Sequence, residues 1–395
     1  MIGFALPENV LALRERVGRF IRDEVMPFET DERWNDHGVA ESLRQELILR
    51  AAKQGLLSPH APVEYGGLGL DHVGMAAIFE AAGWSPLGAI ALNIQAPDEG
   101  NVNLLHKVAN DAQKTEWLPK IVSGEIRTVF SMTETQTGGA GADPSLMKTE
   151  ARETEDGYLI SGSKYMISGY AGAMLNIVMA RTFNGKGDDI GATMFLVEVG
   201  VPEVRMSREI ETMDTNQVGG HVELEIDNLL VPHQNILGEA GQGFRNAQVR
   251  LGPARLTHCM RWLGLASRCH DIALAHARQR QSFGKPLIDH QGVGFMLADN
   301  EIELHHARLA IWHAAWLLDQ GEKARNETSI CKVFCSEAFG RVVDRAMQIL
   351  GSIGISRDTI VERVYRDIRP FRIYDGPSEV HRHALAQRLA RQKGG

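Results

Sequence analysis

The acid best surrounded for chemistry is Asp375, in the run Arg366–Arg382, RDIRPFRIYDGPSEVHR. Tyr374-Asp375-Gly376-Pro377 cannot lie inside a helix, because glycine turns a backbone at least cost and proline offers no amide hydrogen. Asp375 is therefore displayed at the entrance of a helix that runs toward the C-terminus. Arg366, Arg369, Arg372 and Arg382 bracket it with positive charge, and Ile373 and Tyr374 can dry its surroundings. A carboxylate kept ionised by arginines, or raised in pKa by burial, suits a base that removes a proton from carbon. The same pattern also reads as a helix N-cap with solvated arginines, and this stretch by itself leaves both open.

Two further stretches carry polar groups in places a ligand could use. Ser131-Met132-Thr133-Glu134 is followed by small residues from Gln136 to Asp143. Amides freed by such a loop, with the Thr133 hydroxyl, can hydrogen-bond a flat polar ring or a phosphate; a glycine-rich hairpin connection is the alternative. Arg278 and Arg280 precede Ser282-Phe283-Gly284-Lys285-Pro286, where a helix must break. Arginine there either complements the helix dipole or grips a pyrophosphate. Three common chemistries are missing: there is no Gly-x-Gly-x-x-Gly fingerprint, no Gly-Lys-Ser/Thr phosphate loop and no Gly-x-Ser-x-Gly elbow.

The elements that must hold these residues follow from periodicity. In Glu8–Val25 the apolar residues Val10, Leu13, Val17, Phe20, Ile21 and Val25 recur at three and four, an amphipathic helix that Pro27 ends. Further helices are expected over Ala40–Gln54, Asp71–Ala82, Gly88–Leu105 and Asp111–Ser123. Past Gly124 the pattern shortens to β-rich runs at Tyr158–Ser168, Asn176–Arg181, Ala192–Val199 and His221–Ile226, separated by Gly, Asp and Asn. No long helix separates them, so an antiparallel barrel or sandwich is expected. After Val231-Pro232 the chain returns to helices at Phe244–Gln281, Gly292–Gln320, Ala324–Leu350 and Thr359–Tyr365. Helices this long and apolar need a neighbour, so self-association is expected.

At 395 residues, 44% hydrophobic and 23% charged, the chain is long enough for two or three globular domains. The boundaries read as an N-terminal α-helical domain over 1–124, a central β domain over 125–237 and a C-terminal helical domain over 238–395. The net charge of −8 is built from mixed signs, which argues against nucleic-acid and membrane partners. Cys259, Cys269, Cys331 and Cys335 read as buried thiols of a reducing compartment. Cys331 and Cys335 are one helical turn apart, yet no further Cys or well-spaced His completes a site, so no metal is expected. MIGFALPENVLALRERV has no basic segment leading an apolar run, and no stretch reaches the roughly 20 apolar residues of a membrane span. The cytoplasm is the expected compartment.

The motifs together resemble one family. Met132-Thr133-Glu134, Gly162-Ser163-Lys164 with Ile167-Ser168, Val231-Pro232 with Asn235, Leu237-Gly238, Gly241-Gln242-Gly243-Phe244, Arg280 with Phe283–Leu287 and Gln291, Gln348–Gly351, Arg366-Asp367 and Ile373–Gly376 occur in the order of the acyl-CoA dehydrogenase signatures. Each is weak alone; the collinearity from Met132 to the end carries the resemblance. It implies an α+β multidomain fold, with an N-terminal helical domain, a central antiparallel β-barrel and a C-terminal four-helix bundle. FAD would lie between the last two domains and across a subunit contact of a homodimer or homotetramer. The implied reaction is α,β-dehydrogenation of an acyl-CoA thioester, as in fatty-acid β-oxidation. A carboxylate takes the α-proton, the β-hydride passes to flavin N5, and an electron-transfer flavoprotein accepts the electrons.

Residue by residue, the resemblance makes Asp375 the base and sets Met132, Thr133, Ile167 and Ser168 against the flavin ring, with the Ser168 hydroxyl near N5. Arg280, Phe283, Gln348 and Ser352 would serve the FAD of a neighbouring subunit, while Pro377 and Glu379 match FAD contacts. Gly252 and Arg255 would lie along the acyl-CoA, with the Gly376 amide near its end. The departures are specific. Asp375 stands where Glu is usual, so its carboxylate is one methylene short. Ala254 occupies the family's second location for the base. Met166 replaces an indole that commonly shields the flavin, Ser352 replaces Gly, and the loop after Glu134 is longer than usual. Asp-Gly-Pro-x-Glu-Val-His at Asp375–His381 is similar to the branch containing the mammalian tenth and eleventh members, some of which are associated with 4-hydroxyacyl-CoA. Two alternatives keep the fold and change the function: a flavin oxidase or monooxygenase, and a non-catalytic acyl-CoA-binding protein.

Overall fold

The computed structural model describes residues 5–134 and 138–391. The first four residues of the N-terminal reading, and Gln136 and Thr137 of the small-residue loop, lie outside the described residues. In chain order the helices are α1 Glu8–Phe20, α2 Glu41–Lys53, α3 His72–Ala82, α4 Gly88–Ala91, α5 Asp98–Val108, α6 Asp111–Val122, α7 Gly243–Gln279, α8 Gln291–Asp319, α9 Arg325–Leu350, α10 Val361–Ile368 and α11 Ser378–Arg391. The strands are β1 Trp34–Asn35, β2 Gly38–Val39, β3 Thr128–Ser131, β4 Glu150–Glu153, β5 Tyr158–Ser168 and β6 Leu175–Phe183. They continue with β7 Asp189–Glu198, β8 Val204–Ile210, β9 His221–Val231, β10 Ile236–Leu237, β11 Gln281–Ser282 and β12 Lys285–Pro286.

The chain forms two compact units. One comprises Glu32–Gly69 and Asn93–Gly252 and is built on an eight-stranded sheet. The sheet runs β10-β7-β6-β4-β5-β9-β8, with β3 also on β6. This corrects the expected antiparallel barrel: among the described residues the ladder stays open, and β3 and β4 both pair with β6 in parallel. The long segments between β3 and β6 make parallel neighbours possible, a geometry that hairpin spacing could not reveal. Successive residues of β6 face different cores. Ile177 and Met179 pack with Leu104, Leu105 and Ile121 of the helices, whereas Val178 and Ala180 pack with Phe195, Val222 and Leu224. Burial on both faces accounts for the apolar run Ile177–Ala180 of β6, whereas β9 alternates because it is buried on one face only over much of its length.

The other unit comprises Met1–Asp31, Leu70–Leu92 and Pro253–Gly395 and is helical. Gly264 explains how closely α7 approaches α3: an added Cβ would lie 2.1 Å from the Glu80 carbonyl oxygen. Asp319, at the end of α8, accepts from the His72 and Val73 amides at 2.8 and 3.0 Å and so caps α3. Arg268 on α7 is paired with Glu29 through both carboxylate oxygens. All four cysteines sit here, buried and outside any disulfide. Burial pushes the Cys269 thiol up to about 12 and those of Cys331 and Cys335 well above the ordinary thiol range.

Two expected helices end differently. The helix expected to stop at Pro27 leaves α-geometry earlier, passing through a π-turn at Ile21–Val25 and a 3-10 turn at Met26–Thr30. The helix expected over Gly88–Leu105 divides into α4 and α5, because Asn93 adopts a left-handed φ of 54° and Pro97 precedes the second piece.

Candidate functional site

In the helical unit the site is built on the turn between α10 and α11. Asp375 has a left-handed φ of 52° and Gly376 one of 94°. Aspartate tolerates that region better than most residues, whereas at Gly376 an added Cβ would also meet His381 Nε2 at 2.9 Å. Three basic side chains fix the backbone. Arg255 Nε donates to the Asp375 carbonyl at 3.1 Å, and His381 Nε2 donates to it at 3.2 Å. Lys332 Nζ donates to the Phe371 and Gly376 carbonyls at 2.6 and 3.3 Å, so one buried ammonium grips both ends of the turn.

The Asp375 carboxylate meets His258 of α7, with Oδ2 3.1 Å from Nε2. Arg261 donates to His258 Nδ1 at 2.8 Å. Nδ1 therefore accepts, the ring proton sits on Nε2, and Nε2–H donates to Asp375. Burial, followed by the Arg261 charge, lowers the His258 pKa to about 4, which keeps the imidazole neutral at pH 7. Burial likewise lowers His381 to about 4 and Lys332 to about 8. Tyr374 packs on the His258 ring at 4.8 Å between centroids and accepts at its hydroxyl from Trp262 Nε1 at 2.7 Å. The Asp375 side chain is left 18% exposed, a carboxylate held in place yet open on one side.

The bracketing arginines of the sequence reading need correction. Arg366 pairs with Glu362, while Arg382 and Arg372 reach Glu337. The cations around Asp375 come instead from distant helices: Arg255, Arg261 and Lys332. Nor is Asp375 the residue preceding a helix, since α11 begins only at Ser378. Ala254 is buried and apolar, so the position before Arg255 holds no acid. Lys332, His258 and Trp262 were missed; the one available signal was Lys332 within an otherwise apolar helix face, where a buried lysine requires acceptors. Pro377 is half-buried, whereas Glu379, Gln348, Ser352 and Arg280 are exposed. Phe283 is 95% exposed at a φ of 49°, on the turn joining β11 to β12.

In the sheet unit, Met132 and Thr133 run beside β5. Thr133 Oγ1 donates to the Tyr165 carbonyl at 2.5 Å, and the Tyr165 amide donates to the Thr133 carbonyl at 3.0 Å. Beneath them Lys164 and Glu134 form a buried ion pair at 3.1 Å, 0% and 2% exposed. Glu134 also accepts from the Lys148, Thr149 and Ala140 amides at 2.7, 2.8 and 3.2 Å. Burial alone would raise its pKa, but the Lys164 charge and these amides hold it down at about 2. A bulge in β5 gives Met166 a φ of 55° and turns it outward, 39% exposed. Ile167 is a core residue, so anything it offers a ligand comes from its backbone. Ser168 Oγ lies 2.9 Å from His221 Nδ1. Beyond β5, Arg127 donates to the Gly169 carbonyl at 2.6 Å and pairs with Glu41. Gly252 is unobstructed, with nothing within 4 Å of an added Cβ.

Comparison with known proteins matches the chain along nearly its whole length. Residues 7–125, 129–229 and 241–390 match the N-terminal, middle and C-terminal domains of acyl-CoA dehydrogenase. The Mycobacterium tuberculosis protein named "Probable acyl-CoA dehydrogenase FadE2" is 34% identical over 99% of this chain and 98% of its own length. Acyl-CoA dehydrogenase family member 11 of Homo sapiens is 32% identical over 94% of this chain, which spans about half, 49%, of that relative. The structure of butyryl-CoA dehydrogenase from Megasphaera elsdenii superposes with a TM-score of 0.87 at 29% identity, covering 99% of this chain and 100% of that one. The Asp-Gly-Pro-x-Glu-Val-His branch read from the sequence agrees with the likeness to member 11. Matched in order across helices, sheet and helices, and by a relative aligned end to end, the chain belongs to the acyl-CoA dehydrogenase family.

Proposed function

We propose that the chain dehydrogenates an acyl-CoA thioester to its trans-2-enoyl-CoA, with Asp375 as the base that takes the α-proton. The observation that carries this reading is the partly exposed Asp375 carboxylate, fixed 3.1 Å from a neutral His258 on a backbone gripped by Arg255, His381 and Lys332. Bound FAD supplies the acceptor for the β-hydride. The chain's own groups fit that cofactor in one respect that matters: Thr133 and Ser168 stand one strand apart with oxygen atoms available, on backbones pinned by the Glu134–Lys164 pair and by Arg127. Met132, Thr133, Ile167 and Ser168 would hold the ring, with Pro377 and Glu379 as further contacts. The exposure of Arg280, Phe283, Gln348 and Ser352 supports their serving the FAD of a second copy in a homodimer or homotetramer. Gly252, Arg255 and the Gly376 amide would lie along the thioester.

His258 shapes the base without competing with it. A neutral imidazole donates to the carboxylate and fixes its rotamer, which offsets the shorter reach of aspartate. Because His258 is already neutral, the proton taken by Asp375 has no imidazolium to displace. Purified protein is expected to be yellow and to bleach when a suitable acyl-CoA is added without oxygen. Asp375→Asn should keep its colour and lose the bleaching, and unchanged bleaching in that variant would overturn the assignment. An electron-transfer flavoprotein is the proposed acceptor. The exposed Met166 favours one second reading, an oxidase, for which rapid reoxidation by air with stoichiometric peroxide is the test.

A further inference from the structure

Ser168 does not end β5 alone. It is the cross-strand partner of His221, the first residue of β9, and its Oγ lies 2.9 Å from His221 Nδ1. His221 Nε2 in turn lies 3.0 Å from Asp214 Oδ2, with both side chains about nine-tenths buried. Burial pushes the Asp214 carboxyl up, but hydrogen bonds from His221 and Thr212 pull it below its ordinary value, so it is ionised at neutral pH. An ionised carboxylate only accepts, so Nε2 must carry the ring proton. With that proton given to Asp214, Nδ1 is the acceptor that faces Ser168, and the Ser168 hydroxyl donates to it. Thr133 reaches the same condition differently, donating its proton to the Tyr165 carbonyl. Both hydroxyls therefore commit their proton to the protein and keep lone pairs with which to accept.

We infer that Asp214 and His221 are positioning residues that hold Ser168 as a hydrogen-bond acceptor toward the flavin, so that it stabilises the reduced cofactor over the oxidised one. The inference rests on the proposed placement of Ser168 at N5. That nitrogen is bare in oxidised flavin and carries a hydrogen after two-electron reduction. An oxygen with its own proton committed to His221 can accept from the reduced form, whereas a freely rotating hydroxyl would donate to the oxidised form. The chain departs from the usual Thr at this position, yet the buried dyad behind Ser168 gives its hydroxyl one orientation.

Two measurements test it. In protein labelled with 15N-histidine, long-range proton–nitrogen correlation should show His221 with Nε2 protonated and Nδ1 bare; a proton on Nδ1 overturns the inference. In the holoenzyme, reduction by dithionite against a redox dye gives the ratio of reduced to oxidised flavin at fixed potential. That ratio should fall about two- to tenfold in His221→Phe, the scale of one hydrogen bond. In a Ser168→Ala background His221→Phe should cause no further fall. An equal fall with and without the serine hydroxyl, or none in either, overturns the inference, since a merely structural histidine would act regardless of Ser168. The chemical reductant replaces acyl-CoA, so an error in the proposed substrate leaves this ratio measurable and fails separately, as an absence of bleaching by any acyl-CoA.

Discussion

The two units each place a carboxylate near a buried lysine, and the two arrangements are opposites. Glu134 is shut in: Lys164 and three amides donate to it, its side chain is 2% exposed, and its pKa falls to about 2. Asp375 is fastened by its backbone instead. Lys332 is given to carbonyls, Arg255 and His381 to the peptide, and the carboxylate meets a neutral histidine. The difference teaches how a fold separates an acid that organises structure from one proposed to take a proton. The first has its charge matched; the second has its backbone position fixed and its side chain left partly exposed.

That contrast can be broken first at the ion pair. Lys164→Met strands a buried carboxylate and should destabilise the sheet unit by about 3–5 kcal/mol in chemical denaturation, with Lys164→Met/Glu134→Gln recovering much of the loss. A double variant as unstable as the single one would mean the pair does not act as a unit. Asp375→Asn should do the reverse, leaving the denaturation midpoint within about 0.5 kcal/mol while anaerobic bleaching slows by about 100- to 10,000-fold. Acid should then separate the units. His258 and His381 have pKa values held near 4, below the unfolded value, so the stability they contribute is intact above about pH 6.5 and is lost as pH falls toward 4. Glu134 has its folded pKa at about 2, so its contribution survives until the pH drops below about 4.5 and fades toward 2. Intrinsic fluorescence and amide exchange between pH 6.5 and 4.5 should therefore show the helical unit loosening first, and simultaneous loss would contradict the assignment. The smallest effect is expected from His258→Asn, which keeps a donor with altered reach: bleaching should slow by about tenfold at unchanged flavin content.

The long elements were legible because periodicity is local. α7, α8, α9 and β5 fall within two residues of their expected ends. β3, β4 and β8 were missed: Thr128–Ser131 and Glu150–Glu153 are four residues each, and Val204–Ile210 is an edge strand, mostly polar because it is exposed at successive positions. Parallel pairing of β3 and β4 with β6 was illegible for the same reason, since register between distant segments leaves no local trace. Asp375 could be found because glycine and proline mark its turn. Its partners could not: His258 lies 117 positions upstream and Lys332 lies 43 upstream, and only packing brings either to it. The arginines nearest in sequence misled because half-buried glutamates claim them.

The cysteines are distributed so that thiol chemistry can watch one unit and ignore the other. Cys259, Cys269, Cys331 and Cys335 all belong to the helical unit, and the sheet unit has none. Buried sulfurs with raised pKa resist alkylation while the helices stay packed. Any label that does appear clocks how often that bundle breathes, without attaching a reporter to the native chain.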